Sequence, residues 1–216
     1  MEIDPNQLAQ RDRYKLMIGA IVPRPIALVS TLSREGKLNL APFSFFAGVS
    51  SEPMSLLFCP ANRPDAGGPP KDTLRNILET ATATEPEGVG GPFVVNIVSR
   101  PIAEKMAVCA EPLPHGESEF DLSGLTTAPS KRVAPPRVRE SLVSFECETM
   151  RVIRLAPGVP GGGNIVIGRV VWVHANDGVV NDRLHVDPAA LDAVGRMGGL
   201  SYCMTRERFD LAMGKG

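Results

Sequence analysis

Glycine and proline interrupt this chain so often that few long helices can survive in it, for 21 Gly and 20 Pro are spread over its 216 residues. A proline inside a helix removes a backbone donor and clashes with the preceding turn, and glycine weakens helix and strand interiors alike. An all-α bundle is therefore disfavoured, and a mainly β fold with irregular connections and a few helices is expected. The length suits one domain over 1–216, with an N-terminal lead at 1–17 and a C-terminal helical tail at 188–216. Hydrophobic residues at 43% and charged residues at 22% are those of an ordinary globular chain. With 23 Lys plus Arg against 24 Asp plus Glu, the net charge of −1 excludes a global basic field for nucleic acid.

Cys59, Cys109, Cys147 and Cys203 lie far apart without metal-ligand spacing, which points to free thiols in a reducing compartment and to no metal site. The first ten residues carry Glu2 and Asp4 and no apolar core, and no run reaches the length of a membrane span. A cytoplasmic location with neither a membrane nor a nucleic-acid partner is the expectation.

Along the chain the apolar runs are short and β-branched. A short helix is expected over 5–17, and Arg24, bracketed by Pro23 and Pro25, must be extended. Residues 26–31 read as a buried strand, 32–37 as a turn, 38–49 as an aromatic-rich strand completing a hairpin, and 54–60 as a third strand. After a Pro/Gly-rich loop at 62–70, Leu74, Ile77 and Leu78 mark one face of a helix that Asp72 or Thr73 could cap. A loop at 81–91, a strand at 93–98 and a helix at 102–110 follow. The stretch 111–139 is irregular and long enough to be functional or partner-contacting.

From residue 142 to 148, Val143, Phe145 and Cys147 alternate with Ser144, Glu146 and Glu148, the pattern of a half-exposed strand that 150–155 continues. A glycine-rich turn at 158–163 precedes a strand over 165–174, in which Gly168 marks a bulge or a close backbone approach. The tail reads as helical pieces at 188–193, 196–202 and 207–213. Six or seven strands without β-helix-β alternation favour a small antiparallel barrel or sandwich.

Two segments carry chemistry. Lys71, Asp72 and Thr73 open a helix, where unpaired N–H groups and the dipole favour a phosphate; simple capping is the commoner reading of such a spacing. In the hairpin, Asn39, Ser44, Ser50 and Ser51 lie beside Phe43, Phe45 and Phe46, which suits a planar heterocycle with polar edges, although spacing alone favours a barrel strand with aromatic core residues and polar residues facing water. Asn96, inside an apolar strand, reads as a structural hydrogen bonder. His115, His174 and His185 lack a nucleophile context, although His115 stands out in the long loop beside Gly116 and Glu117. Gly161 to Gly163 lack the Lys-Ser/Thr of a P-loop, no dinucleotide fingerprint is present, and no catalytic side chain is singled out.

The run Pro23 to Thr31, then Gly36, Asn39 to Phe46, Ser50 and Pro53, then Lys71-Asp72-Thr73 with Asn76-Ile77, Phe93 to Asn96, and Gly198-Gly199 with Tyr202, resembles the flavin reductase-like FMN-binding split-barrel family, flavoredoxin-type proteins included. The resemblance covers nearly the whole chain. It implies a six-stranded antiparallel Greek-key split barrel with flanking helices, a homodimer, and one FMN per subunit near the dimer interface, FAD being the other candidate. By the same resemblance, Thr31, Asn39, Ala41, Pro42, Phe43 and Ser44 would line the isoalloxazine and ribityl part. Ser50 would lie toward the ribityl-phosphate end, Lys71, Asp72 and Thr73 would hold the phosphate, and Arg24 would approach the flavin or its tail.

The activity implied is transfer of hydride from transiently bound NAD(P)H to flavin, and of electrons onward to a small-molecule or protein acceptor. A flavin-binding electron carrier reduced by a separate partner is the alternative. Relatives that reduce free flavin for a monooxygenase often carry a histidine where this chain has Asn164.

Overall fold

The structure is a computed structural model and describes residues 1–65, 67–81 and 89–212. A 3-10 turn at Pro5–Gln7 leads into α1 (Gln10–Ala20), which runs past the expected end of the N-terminal lead and buries none of its residues. The expected hairpin then forms, β1 (Ala27–Leu32) pairing antiparallel with β2 (Leu38–Phe43) in a register from Ala27↔Phe43 to Leu32↔Leu38. The aromatic-rich run is not the single strand expected over 38–49. It breaks at Ser44 and Phe45 and resumes as β3 (Phe46–Ser51), which pairs with β4 (Met54–Phe58) instead of β1.

The helix at the Lys71 segment is α2 (Asp72–Glu79), with Lys71 itself at the N-cap position and no side-chain cap, where Asp72 or Thr73 had been expected to serve. After β5 (Gly90–Ile97), a 3-10 turn at Arg100–Ile102 continues into α3 (Ala103–Val108). The 111–139 stretch is less irregular than its composition implied. It carries α4 (Glu119–Ser123) and a small ribbon of β6 (Thr127–Ala128) with β7 (Arg137–Val138). Ser118 caps α4 by accepting the Phe120 N–H at 3.3 Å, and Gly124, at φ 64°, ends it in the left-handed region.

Two twelve-residue strands, β8 (Val143–Arg154) and β9 (Asn164–Ala175), form the long hairpin of the molecule. The polar face of β8 was expected to meet water, yet Ser144 and Glu146 are buried, because residues 131–138 lie over it. Among its described residues the tail has one short helix, α5 (Pro188–Leu191). The segment expected to be helical over 196–202 instead belongs to a hairpin of β10 (Val194–Arg196) with β11 (Tyr202–Met204), turned through Gly199 at φ 61°. Residues 207–212 carry no regular structure, and 213, like 66 and 82–88 of the expected loops, lies outside the described residues.

The main sheet has seven strands in the order β2-β1-β5-β8-β9-β4-β3, all pairs antiparallel. Counting 38–51 as one bent strand returns the six of the expected barrel. That the sheet is rolled follows from Phe43 and Phe58, which belong to strands near opposite ends of the order yet have ring centroids 5.0 Å apart. The interior cluster draws on six strands, through Val29, Phe43, Phe58, Phe93, Cys147 and Val166, and α2 plugs it with Leu74 and Ile77. The alternate face of β1 sends Leu28 into a second cluster, with Met106 of α3 and Phe120 of α4. Gly168 has the role its position foretold, since a Cβ there would meet Phe93 Cζ at 2.4 Å.

Candidate functional site

Where β2 passes the start of α2, a cleft of about 420 Å³ opens, floored by Asn39, Ala41, Pro42 and Thr73 and walled by Arg63, Lys71, Cys109 and Glu119. Helix α2 brings its first turn to this edge because Leu74 and Ile77 must enter the barrel, which leaves Lys71 at the rim. The first N–H groups of a helix have no intrahelical partner, and here no side chain caps them. The Lys71 ammonium makes no ion pair among the described residues, and its pKa is lowered by desolvation and then by the charge of Arg63. An unpaired cation held beside another cation at an uncapped helix start is a place for an anion.

Behind this rim lies a buried amide and hydroxyl network. Asn39 Nδ2 donates to Thr73 Oγ1 at 2.9 Å and to Thr31 Oγ1 at 3.3 Å, and Asn76 Nδ2 donates to Thr31 Oγ1 at 3.0 Å. With both of its N–H groups committed, Asn39 has only Oδ1 left to accept from a ligand. Asp72 turns its carboxylate to Arg63 (2.9 Å), His115 (3.1 Å) and Arg75 (3.7 Å), so its negative charge is met by two guanidinium groups and an imidazole instead of facing the cleft bare.

Of the residues singled out in the sequence, Asn39, Ala41, Pro42, Lys71, Asp72 and Thr73 line this one cleft. Thr31 supports it from behind. Phe43 is an interior core residue, and Ser44, at the β2–β3 corner, accepts from Arg24 Nε at 3.3 Å. Arg24 is spent on structure. Its guanidinium also donates to the carbonyls of Ile18 and Ile21, both at 2.6 Å, and of Met197 at 3.0 Å, tying α1 to the tail. Ser50 is exposed on β3 and belongs to a different groove, lined by Phe46, Val49, Met54, Leu56, Phe145 and Val170.

Asn96 is the structural hydrogen bonder expected, donating to Leu28 O and accepting from Val138 N and Ser144 Oγ. Asn164 likewise pins the 60–62 segment, donating to Pro60 O at 2.9 Å and to Asn62 Oδ1 at 3.0 Å.

Sequence reading missed Arg63, Cys109 and Glu119. Arg63 had a signal, being a cation in a Pro/Gly-rich loop eight residues before Lys71. Glu119 had one too, since Ser118 and Gly124 are the start and stop of a helix that delivers it. Cys109 had none.

This geometry can be set beside known proteins. The sequence matches the model of the family described as flavin reductase like domain over residues 18–197. The chain belongs to the flavin reductase-like family. Among relatives of this flavin reductase-like chain, a protein of Halalkalibacterium halodurans is 38% identical over 214 residues, covering 98% of this chain and 95% of its own.

In structure, nitrilotriacetate monooxygenase component B from Bacillus cereus superposes with a TM-score of 0.87 at 32% identity over 98% of both chains. The 2-nitrobenzoate 2-nitroreductase NbaA of Pseudomonas fluorescens gives 0.84 at 29% identity, covering 99% of this chain and 96% of its own. Flavoredoxin of Desulfovibrio vulgaris (Miyazaki F), at 20% identity and a TM-score of 0.73 over 99% of this chain and 98% of its own, shares the fold. The family places the chain among flavin-related oxidoreductases, and its fold is their split barrel.

Proposed function

We propose that this chain binds FMN in the cleft and works as an NAD(P)H-dependent flavin oxidoreductase that passes electrons to a further acceptor. The observation that carries this reading is the Lys71 ammonium, without an ion-pair partner among the described residues and partly desolvated at an uncapped helix start beside the polar floor of Asn39 and Thr73. These residues fit a phosphorylated flavin. Lys71 and the first N–H groups of α2 would hold the phosphate, Asn39 Oδ1 would accept from a ribityl hydroxyl or a ring N–H, and Ala41 with Pro42 would supply apolar surface. When bound, the flavin supplies the redox chemistry, taking hydride from a nicotinamide donor and yielding electrons to the acceptor.

The chain's own part is to bind, orient and keep water from one side of the ring. FMN is favoured over FAD because the rim offers one helix start and the remaining acidic groups, Asp65, Glu111 and Glu119, would disfavour a second phosphate. The names of the Bacillus cereus and Pseudomonas fluorescens proteins, a monooxygenase component and a nitroreductase, support a redox role.

A homodimer belongs to the same reading. No residue of helix α1 is fully buried within its own chain, and the groove at Ser50 is predominantly apolar with Val49 and Met54 exposed, so a second copy would supply the missing cover. Free thiols at all four cysteines accord with the cytoplasmic setting expected.

The test is the absorbance of the purified protein with added FMN, followed by anaerobic NADH and then NADPH. Flavin binding with bleaching at catalytic rates is the expected outcome. Flavin binding that bleaches only with a chemical reductant would make the chain an electron carrier fed by another reductase, and no flavin binding would overturn both.

A further inference from the structure

We propose that Arg63 is a second phosphate-binding residue of the cleft, aimed by Asp72, which His115 in turn orients; the inference rests on the FMN reading above. Arg63 stands in the loop that empties into α2 and lines the same cleft as Lys71. Its guanidinium carries five N–H donors in one plane. Among the described residues its side chain spends them on a single hydrogen bond, from Nη2 to Asp72 Oδ2 at 2.9 Å, while Nε is buried with no protein partner. A buried donor left unpaired is costly, and an arriving anion that draws the guanidinium edge toward it would relieve that cost.

The surroundings of Asp72 give the same answer. Its carboxylate is 12% exposed in the first turn of α2, where a bare negative charge would repel a phosphate. Both oxygens are occupied instead: Oδ2 by Arg63, and Oδ1 by His115 Nδ1 at 3.1 Å and Arg75 Nη1 at 3.7 Å. The carboxylate thus works as an anchor that holds one edge of the Arg63 fork beside Lys71. Two cations kept within each other's field gain from an anion placed between them. An arginine suits that role because a planar guanidinium can meet two phosphate oxygens at once. The ligand class is a phosphate monoester.

The experiment measures dissociation constants of FMN and of riboflavin for the full chain and for Arg63→Met, Arg63→Lys, Asp72→Asn and His115→Ala. Arg63→Met is expected to lose FMN affinity by roughly tenfold to a hundredfold and to leave riboflavin affinity unchanged, the loss appropriate to one charge-assisted contact. Arg63→Lys keeps the charge without the fork and should retain part of the discrimination, which covers the case that the methionine variant folds poorly.

Asp72→Asn decides the positioning role, because removing a negative charge beside a phosphate should tighten FMN if Asp72 only repels, and weaken it if Asp72 aims Arg63. Weakening is expected; tightening would overturn the role. His115→Ala should weaken FMN by up to about fivefold, as for a half-exposed partner. If the wild-type chain prefers FMN to riboflavin and Arg63→Met and Arg63→Lys both prefer it equally, the Arg63 inference fails while the cleft reading stands. If the wild-type chain binds neither flavin, both fail.

Discussion

Glu119 and Glu146 are both withdrawn from water, at 7% and 0% exposure, yet the two regions they organise treat their carboxylates in opposite ways. Glu146, on β8, accepts the N–H groups of Lys131 and Arg132, both at 2.6 Å, and of Val133 at 3.2 Å, together with His174 Nε2. Burial alone would raise its pKa; the Lys131 N–H, His174 and the other two N–H groups outweigh that and lower it. The 131–133 segment is thereby fastened to the sheet, and Arg132 lies over the Trp172 ring at 5.6 Å.

Glu119, at the wall of the cleft, accepts one bond, from the Leu40 N–H on the sheet's edge strand at 2.8 Å. Burial raises its pKa, and the Leu40 bond offsets this only in part. Beside it the Cys109 thiol is pushed up to about 11, by burial first. The difference teaches where a ligand belongs. The Glu146 carboxylate is saturated by four donors, whereas the region around the cleft leaves two buried atoms, Arg63 Nε and Asn76 Oδ1, without a partner among the described residues; in the segment over Glu146 only Arg137 Nε shares that state.

The largest effect that would sharpen this contrast is expected from Glu146→Ala, which strands three N–H groups and a histidine. A loss of about 3 to 5 kcal/mol in denaturant unfolding is expected, and a loss below about 1 kcal/mol would erase the contrast. The pH profile carries the same message. Because the folded-state pKa of Glu146 is lowered, its contribution is complete above the unfolded-state value and disappears as pH falls through the folded one, so Glu146→Gln should flatten the acid limb of the stability curve.

Next in size, Lys71→Ala should weaken FMN by roughly 1.5 to 3 kcal/mol and spare riboflavin, as titrated by flavin fluorescence. Equal weakening of both would remove Lys71 from the phosphate. Asn39→Ala should weaken both flavins by roughly 1 to 2 kcal/mol, and an unchanged riboflavin affinity would take Asn39 out of the ring and ribityl site.

The smallest effect belongs to Glu119→Gln, which can still accept the Leu40 N–H but carries no charge. A raised folded-state pKa means that the stability Glu119 contributes is complete in acid and lost as pH rises through that value. The variant should therefore melt at an equal or higher temperature than wild type near neutrality and gain nothing in mild acid. A clear drop at neutral pH would mean that Glu119 is as saturated as Glu146.

The fold was legible wherever local pattern and tertiary demand agree. A β-branched apolar run, turn residues and an aromatic-rich run marked the β1–β2 hairpin, and the spacing of Leu74 and Ile77 marked α2. The break at Ser44 and Phe45 was illegible because an unbroken aromatic run says nothing about which neighbour each half will pair with. Ser144 and Glu146 looked solvent-facing because a polar side chain reads the same in sequence whether it meets water or donors brought from residues 131–138. In the tail, 196–202 was read as helix although Gly198 and Gly199 stand at the turn of a hairpin. At the cleft, Lys71, Thr73 and Asn39 could be named, while Arg63 and Glu119 needed the fold, since only packing brings residues 39, 63, 71 and 119 to one place.

The corner at Ser44 and Phe45 also bears on how the molecule comes together. Only these two residues separate the strands at opposite ends of the seven-strand order, yet the ends can meet only after β5, β8 and β9 have filled the span between them. A two-residue connection thus depends on long-range pairings, β1 with β5 and β4 with β9, of the kind that slows folding. Since β2 supplies the floor of the cleft, the binding surface should be among the last parts of the protein to acquire its shape, and a chain released before residue 175 would carry the site's residues without the site.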